Sequence, residues 1–288
     1  MPGSVPELPL RHAVVLGLLH GPTELLPVSS SAHTTLVPWL AGWPYEQLDP
    51  GLRKSFEVAL HAGTAAALLL YPPLECQPVG PGFLLAALTP PALTGYALGG
   101  QIEQRLGTPA NIVAGLVAGS VVMGGVEVYK KWHAPHVHAG HRNFASNTTP
   151  AQIDVVRPTA SDGLALGLAQ ALALIPGVSR SGATLAAARA RGFSREDADQ
   201  LSWTVGLPVI AGATLLQSTR LARRQARADT PAGTTLPLAI GAASAFLSTL
   251  ASSKALNRRR RAQLLPACIA YRGMLAAHVI RHMRDNTC

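Results

Sequence analysis

The sequence predicts an all-α integral membrane protein with about six transmembrane helices and two further helices broken at polar turns. Three observations carry that expectation. Long runs lack Asp, Glu, Lys and Arg at 25–45, 58–74, 76–102, 106–126, 200–219 and 230–253. Only 14% of residues are charged while 48% are hydrophobic, and a soluble domain carries roughly 25% charged residues. The third is a pair of similar interruptions, 150 positions apart, in two shorter apolar segments.

A hydrocarbon core about 30 Å thick takes about 20 apolar residues per helix, and each of the six runs approaches or exceeds that length. The stretch 262–280 would also span, with Arg272 as its one charge; a charge at that depth faces a partner or a cavity. No cleavable signal is expected, because Met1 to Leu10 holds three prolines and no basic segment. The 27 Gly and 23 Pro follow no fixed period, which excludes a collagen-like chain. Cys76, Cys268 and Cys288 are isolated, so neither a disulfide framework nor a zinc cluster is indicated.

The net charge of +9 suits an anionic membrane surface rather than nucleic acid once the apolar runs are counted. Basic clusters occur at Arg53-Lys54, Lys130-Lys131, Arg189 to Arg195, Arg220 to Arg227, and Lys254 with Arg258 to Arg261. The last two flank a single run and cannot share a side, so the positive-inside rule assigns no orientation. The His133, His136, His138 and His141 stretch matches no standard metal spacing and reads as a solvated loop.

The two shorter segments, 12–23 and 163–179, end in Pro27-Val28-Ser29-Ser30-Ser31 and Pro176-Gly177-Val178-Ser179-Arg180-Ser181. Broken helices survive at membrane depth only where the freed backbone is buried in protein or lines a wet cavity. Displacing the sequence by 150 aligns Leu16-Gly17-Leu18 with Leu166-Gly167-Leu168, Val28-Ser29 with Val178-Ser179, Ser31 with Ser181 and Thr34 with Thr184. Interrupted segments at matching places in two halves point to a midplane site in an inverted-repeat membrane fold. A single membrane domain, 1–288, is expected, with halves of about 10–130 and 160–280 joined by the His-rich basic loop at about 130–160.

The first break places Glu24, the hydroxyls of Ser29, Ser30 and Ser31, and the His33 imidazole within ten residues. A carboxylate in low dielectric needs a cation, a metal or a proton. The second break supplies a cation, Arg180, between Ser179 and Ser181, with Gly177 and Gly182 allowing backbone amides to approach an anion. A guanidinium fork suits two phosphate oxygens, and a helix beginning there adds its positive end. These pieces describe an anion site with phosphate as the leading ligand. Each serine alone also reads as a helix cap, and Glu24 with Arg180 as a structural pair.

Gly21-Pro22-Thr23-Glu24-Leu25-Leu26-Pro27-Val28-Ser29-Ser30-Ser31-Ala32-His33 closely resembles the first signature of the undecaprenyl-diphosphatase (bacitracin-resistance) family. Ala173 to Thr184 resembles the second, and Phe56-Glu57-Val58 with Gly63, Ser202 to Pro208, and Tyr271-Arg272 are supporting matches. The resemblance implies a multi-pass plasma-membrane phosphatase that converts undecaprenyl diphosphate, a polyprenyl lipid, to the monophosphate. It further implies six spans plus two re-entrant helix pairs arranged as inverted repeats, with a site opening to the outer face. By the same resemblance Glu24 is a base or divalent-metal contact, His33 the catalytic histidine, Ser29 and Ser30 functional hydroxyls, and Ser179-Arg180 the phosphate clamp. Either Ser30 or His33 is the nucleophile, positioned by Glu24 or by the other residue; Ser30 is favoured with His33 as its proton-transfer partner, and a homodimer is compatible.

The chain departs from the family pattern at His20, four residues before Glu24, where the family usually carries Glu or Gln, and at His61, where it commonly carries Gln. With one carboxylate fewer, Mg²⁺ or Ca²⁺ should bind more weakly. His20, His33 and His61 would form a three-histidine pocket suited to a transition metal, or His61 makes a polar helix contact. A rival reading from another class is a carrier that moves polyprenyl phosphate or another anion with the same broken helices.

Overall fold

The computed structural model describes residues 7–72, 78–133, 157–225 and 235–285, which are helical apart from short connections. The elements are α1 (Leu10–Leu25), α2 (Ser30–Leu40), α3 (Pro50–Leu70), α4 (Pro81–Leu106) and α5 (Pro109–Trp132). There follow α6 (Ala160–Leu172), α7 (Arg180–Ala190), α8 (Arg195–Gln225), α9 (Thr235–Ala255) and α10 (Arg258–Asp285). Cys76, Cys288 and the His136, His138 and His141 stretch lie outside the described residues.

Local chemistry sets the starts. Asp49 caps α3 by accepting from the Leu52 amide at 2.9 Å, with Pro50 in the first turn, where its missing N–H costs nothing. Thr108 and Pro109 repeat the device at α5. Thr159 and Asp162 form a reciprocal capping box at α6. Pro27 stands two residues beyond α1 and prevents its continuation.

Among the described residues five helices are long and apolar enough to cross a membrane, namely α4, α5, α8, α9 and α10. The stretch 262–280 lies inside α10 and joins them. The apolar part of α3 corresponds to the run 58–74, but its early turns carry Arg53, Lys54 and Glu57. The charge-free run 25–45 is not a span. It contains the break after α1, the 11-residue α2 and a turn, and α2 is only about 16 Å long at 1.5 Å per residue. Freedom from charge does not guarantee an unbroken helix where Pro27 intervenes.

Many large apolar side chains face outward, including Leu69, Leu85, Leu93, Val121 and Leu247. An outer surface so apolar calls for hydrocarbon rather than water as its solvent. The protein is a multi-pass, all-helical membrane protein.

The short helices pack crosswise: α1 lies along α9 and α6 along α4. Both contacts are made through glycines 150 positions apart. A Cβ at Gly17 would collide with Ser244 and the Gly241 carbonyl, and one at Gly167 with the Ala86 and Ala87 carbonyls. Close approach of helix backbones through small residues is the usual basis of packing in lipid, where burial of apolar surface supplies little. This packing brings the ends of α1, α2 and α7 together beside α8 and α10.

Candidate active site

The two breaks share one backbone device. Ser29 and Ser179, the residues before α2 and α7, both have φ of 73°. The left-handed region is unfavourable for a residue with a Cβ and persists where the surroundings enforce it, often at functional sites. Ser29 Oγ lies 3.2 Å from Ser31 Oγ, and Ser179 Oγ lies 3.3 Å from Ser181 Oγ. Ser179 Oγ also accepts from the Gly182 amide at 3.3 Å, and Ser181 donates to the Leu26 carbonyl at 3.4 Å, tying the second break to the first.

Glu24 sits in the last turn of α1, and its side chain is 10% exposed. Ser30 Oγ donates to Glu24 Oε2 at 2.6 Å, and Arg180 Nη2 donates to Glu24 Oε1 at 3.2 Å. Ser30 and Arg180 are the first residues of α2 and α7, so the positive ends of two helices meet at this carboxylate. The Arg180 guanidinium lies over the Trp203 ring, 5.5 Å from its centre. Its Nη1 is buried without a hydrogen-bond partner among the described residues. That donor is not used by Glu24, which Nη2 engages. Gly206 makes room for it, since a Cβ there would overlap Nη1.

His33 is engaged elsewhere. Its Nδ1 donates to the Ser29 carbonyl at 2.7 Å, so Nε2 accepts from the Tyr271 hydroxyl at 2.7 Å. The expected pairing of Ser30 with His33 is therefore replaced by Ser30 with Glu24. The α2 backbone directs the His33 ring back along its own helix, while the Ser30 hydroxyl at the first turn reaches across to α1.

The three-histidine pocket does not form either, because His33 turns to Tyr271. Instead His20, His61 and Glu24 come together, each offering one ligand atom, with these atoms all within 4.8 Å of one another. The His20 and His61 rings meet edge to face, 4.6 Å between centres. His20 Nδ1 bonds Thr64 Oγ1 at 2.9 Å, and His61 Nδ1 donates to the Glu57 carbonyl at 2.8 Å. One carboxylate beside two imidazoles does not fit Mg²⁺ or Ca²⁺, which call for several oxygen ligands.

Arg272 has a larger part than the sequence suggested. It is fully buried, and its guanidinium donates to the carbonyls of Pro27, Gly177, Val178, Gly115 and Leu116 and to Ser120 Oγ. Pro27 and Gly177 are equivalent positions of the two breaks, so one side chain satisfies the freed backbone of both. Gly177 has φ of 91°, and a Cβ there would overlap the Ile112 carbonyl of α5. The signal available in sequence was a lone arginine inside an apolar run. Trp203 was also missed as a site residue; it lies between Arg180 and Arg261, the latter 5.8 Å from the ring centre.

The fold and the site together define a multi-pass membrane protein whose two broken helices enclose a hydroxyl, a carboxylate and a guanidinium. Residues 13–278 match the family model described as bacitracin resistance protein BacA, and the chain belongs to that family. An undecaprenyl-diphosphatase of Geobacter sulfurreducens is 39% identical over 83% of this chain and 85% of its own length. The undecaprenyl-diphosphatase of Geobacter metallireducens is 36% identical, covering 80% and 82% of the two chains, and that of Pelobacter propionicus 34%, covering 94% and 96%.

Proposed function

We propose that this protein is a membrane hydrolase that converts undecaprenyl diphosphate to undecaprenyl phosphate and free phosphate. The reaction returns the lipid carrier to peptidoglycan assembly and so confers bacitracin resistance. Family membership and the similarity to undecaprenyl-diphosphatases support the substrate. The observation that carries the chemistry is the convergence of the Ser30 hydroxyl and the Arg180 guanidinium on the two oxygens of Glu24.

Ser30 Oγ attacks the terminal phosphorus while Glu24 Oε2 takes the hydroxyl proton. The bond from that phosphorus to the bridging oxygen breaks, and its electron pair departs on the polyprenyl monophosphate, which collects the proton from Glu24. Arg180 Nη1 meets the charge spread over the transferring oxygens. Water then attacks the phosphoserine phosphorus as Glu24 accepts its proton, the bond from phosphorus to Ser30 Oγ breaks, Oγ takes that proton back from Glu24, and free phosphate leaves. Ser29, Ser31, Ser179 and Ser181 offer hydroxyls around the diphosphate, and Gly177 keeps the second turn tight against α5. His33 is a positioning residue that holds the Ser29 carbonyl and Tyr271.

Residues 10–130 and 160–280 are read as inverted halves of one membrane domain. Each contains a short helix, an 11-residue helix and three longer ones, and if α3 crosses along with α4 and α5, the odd number of crossings in the first half turns the second upside down. The protein resides in the plasma membrane with its site open to the outer side.

Phosphate release from long-chain polyprenyl diphosphate by detergent-purified protein, beside Glu24→Gln and Arg180→Ala, tests the reading. Release by wild type that both substitutions abolish supports it. Folded wild type that releases nothing overturns it, and movement of polyprenyl phosphate across vesicles by that protein would establish the carrier.

A further inference from the structure

We propose that His20, His61 and Glu24 form a binding site for a borderline transition-metal cation of the Zn²⁺ class rather than for a hard cation. Two imidazoles and one carboxylate with an open fourth position are a recurrent donor set for catalytic zinc, and imidazole favours such metals over Mg²⁺ and Ca²⁺.

Three observations carry the inference. The ligand atoms of the three residues already lie within 4.8 Å of one another, on α1 and α3. Each imidazole is held by its other nitrogen, the arrangement that orients metal-ligating histidines. The Glu57 carbonyl forces the proton of His61 onto Nδ1, leaving a lone pair on Nε2. Thr64 engages His20 Nδ1 and is itself linked to Thr249 on α9 at 3.2 Å. Finally, His20 is fully buried and its Nε2 has no hydrogen-bond partner among the described residues. A buried polar atom in that condition is expected to have a ligand or an ordered water.

Glu24 receives Ser30 and Arg180 as well. Each carboxylate oxygen has two lone-pair directions, so one oxygen can accept a hydrogen bond and still bind a cation. A cation held there would stand beside Ser30, the proposed nucleophile. Its use in phosphoryl transfer rests on the phosphatase reading, whereas its binding does not.

The experiment uses full-length, tag-free protein in detergent, stripped with a chelator. Zn²⁺ is titrated in competition with a chromophoric chelator, and Co²⁺ replaces it for visible spectroscopy, with Mg²⁺ and Ca²⁺ as competitors. One tight Zn²⁺ site per chain is expected, with a Co²⁺ spectrum of low coordination number that excess Mg²⁺ or Ca²⁺ leaves unchanged. His20→Gln and His61→Gln should each weaken that site by more than the roughly 10-fold to 100-fold typical of losing an outer-shell partner. His282→Gln, at the far end of α10 and packed on Trp39, should leave the tight site intact. Wild type without a tight Zn²⁺ site overturns the proposal. So does retention of that site in the His20→Gln/His61→Gln double variant, or displacement of Co²⁺ by Mg²⁺. Phosphatase activity is measured separately on the same preparations; inactive protein that binds Zn²⁺ tightly would overturn only the hydrolase, and active protein that binds none would overturn only the metal site.

Discussion

Ser30 and Arg180, separated by 150 residues, open two equivalent 11-residue helices and donate to opposite oxygens of Glu24. The same position in each break has thus been given a different task, a hydroxyl in one and a guanidinium in the other. Glu24 has no acidic counterpart, since its equivalent in the second break is Leu174. The site is asymmetric although its backbone frame is repeated.

If Glu24 is the proton acceptor for Ser30, Glu24→Gln should fold and bind lipid but lose about 100-fold to 10,000-fold in kcat, the usual contribution of a general base. Ser30→Ala should lose at least as much, and the double variant little more, because residues acting as a unit are not additive. Phosphate release with KM determined separately checks this.

Arg180→Lys keeps the charge but not the planar fork, and should lower kcat by about 100-fold or more, as the loss of one aimed donor does elsewhere. Gly206→Ala tests the same group from the other side, because its methyl would overlap Arg180 Nη1. It should depress kcat without touching substrate. An unchanged kcat in Gly206→Ala would show that Nη1 has no part in the reaction.

His33 and Tyr271 are bonded to each other and not to Ser30. Tyr271→Phe removes one hydrogen bond, worth about 1 kcal/mol of stability, and should leave the pH profile of kcat/KM in place. A profile displaced by this substitution would return His33 to the role of proton carrier.

Arg272→Met should be among the most destabilising single changes, because it strips several buried carbonyls of a charged donor at once. A loss of more than about 3 kcal/mol is expected from hydrogen bonds to a charged group, read as the thermal midpoint in detergent. Arg272→Lys should restore only part, since an ammonium cannot span both breaks as a fork does.

Asp162 supplies a pH-dependent contribution at the start of α6. Burial pushes its carboxyl up, but hydrogen bonds from the Thr159 hydroxyl and amide and from the Arg191 guanidinium outweigh this and hold it below its ordinary value. A carboxyl lowered in the folded state adds stability above the unfolded pKa of about 3.9 and loses it as pH falls through the folded value. Asp162→Asn should therefore lower the thermal midpoint at neutral pH and flatten its decline in acid.

The helical membrane class and the two breaks were legible because their signals are local: apolar length for α4, α5, α8 and α9, and Pro27 and Pro176 followed by serines for the turns. The meeting of Glu24 with Arg180 was legible as a need for charge compensation, which low dielectric imposes on any buried carboxylate. What stayed hidden depended on direction. Residues 25–45 look continuous in charge yet fold around a bend, and the His33 ring follows α2 toward Tyr271 rather than toward Ser30. Similarly, Arg272 announces a buried partner without revealing that the partners are carbonyls from two distant turns.

The position of Arg272 also orders the birth of the site. Its helix follows both breaks in chain order and so leaves the ribosome after them, and until it arrives the Pro27 and Gly177 carbonyls lack the donor that satisfies them in the folded protein. The residues of the first break are synthesised well before the helix that locks them. A truncated product lacking α10 would therefore carry Glu24, Ser30 and Arg180 without the brace that fixes them. Arg272 makes synthesis of α10 a condition for a competent active site.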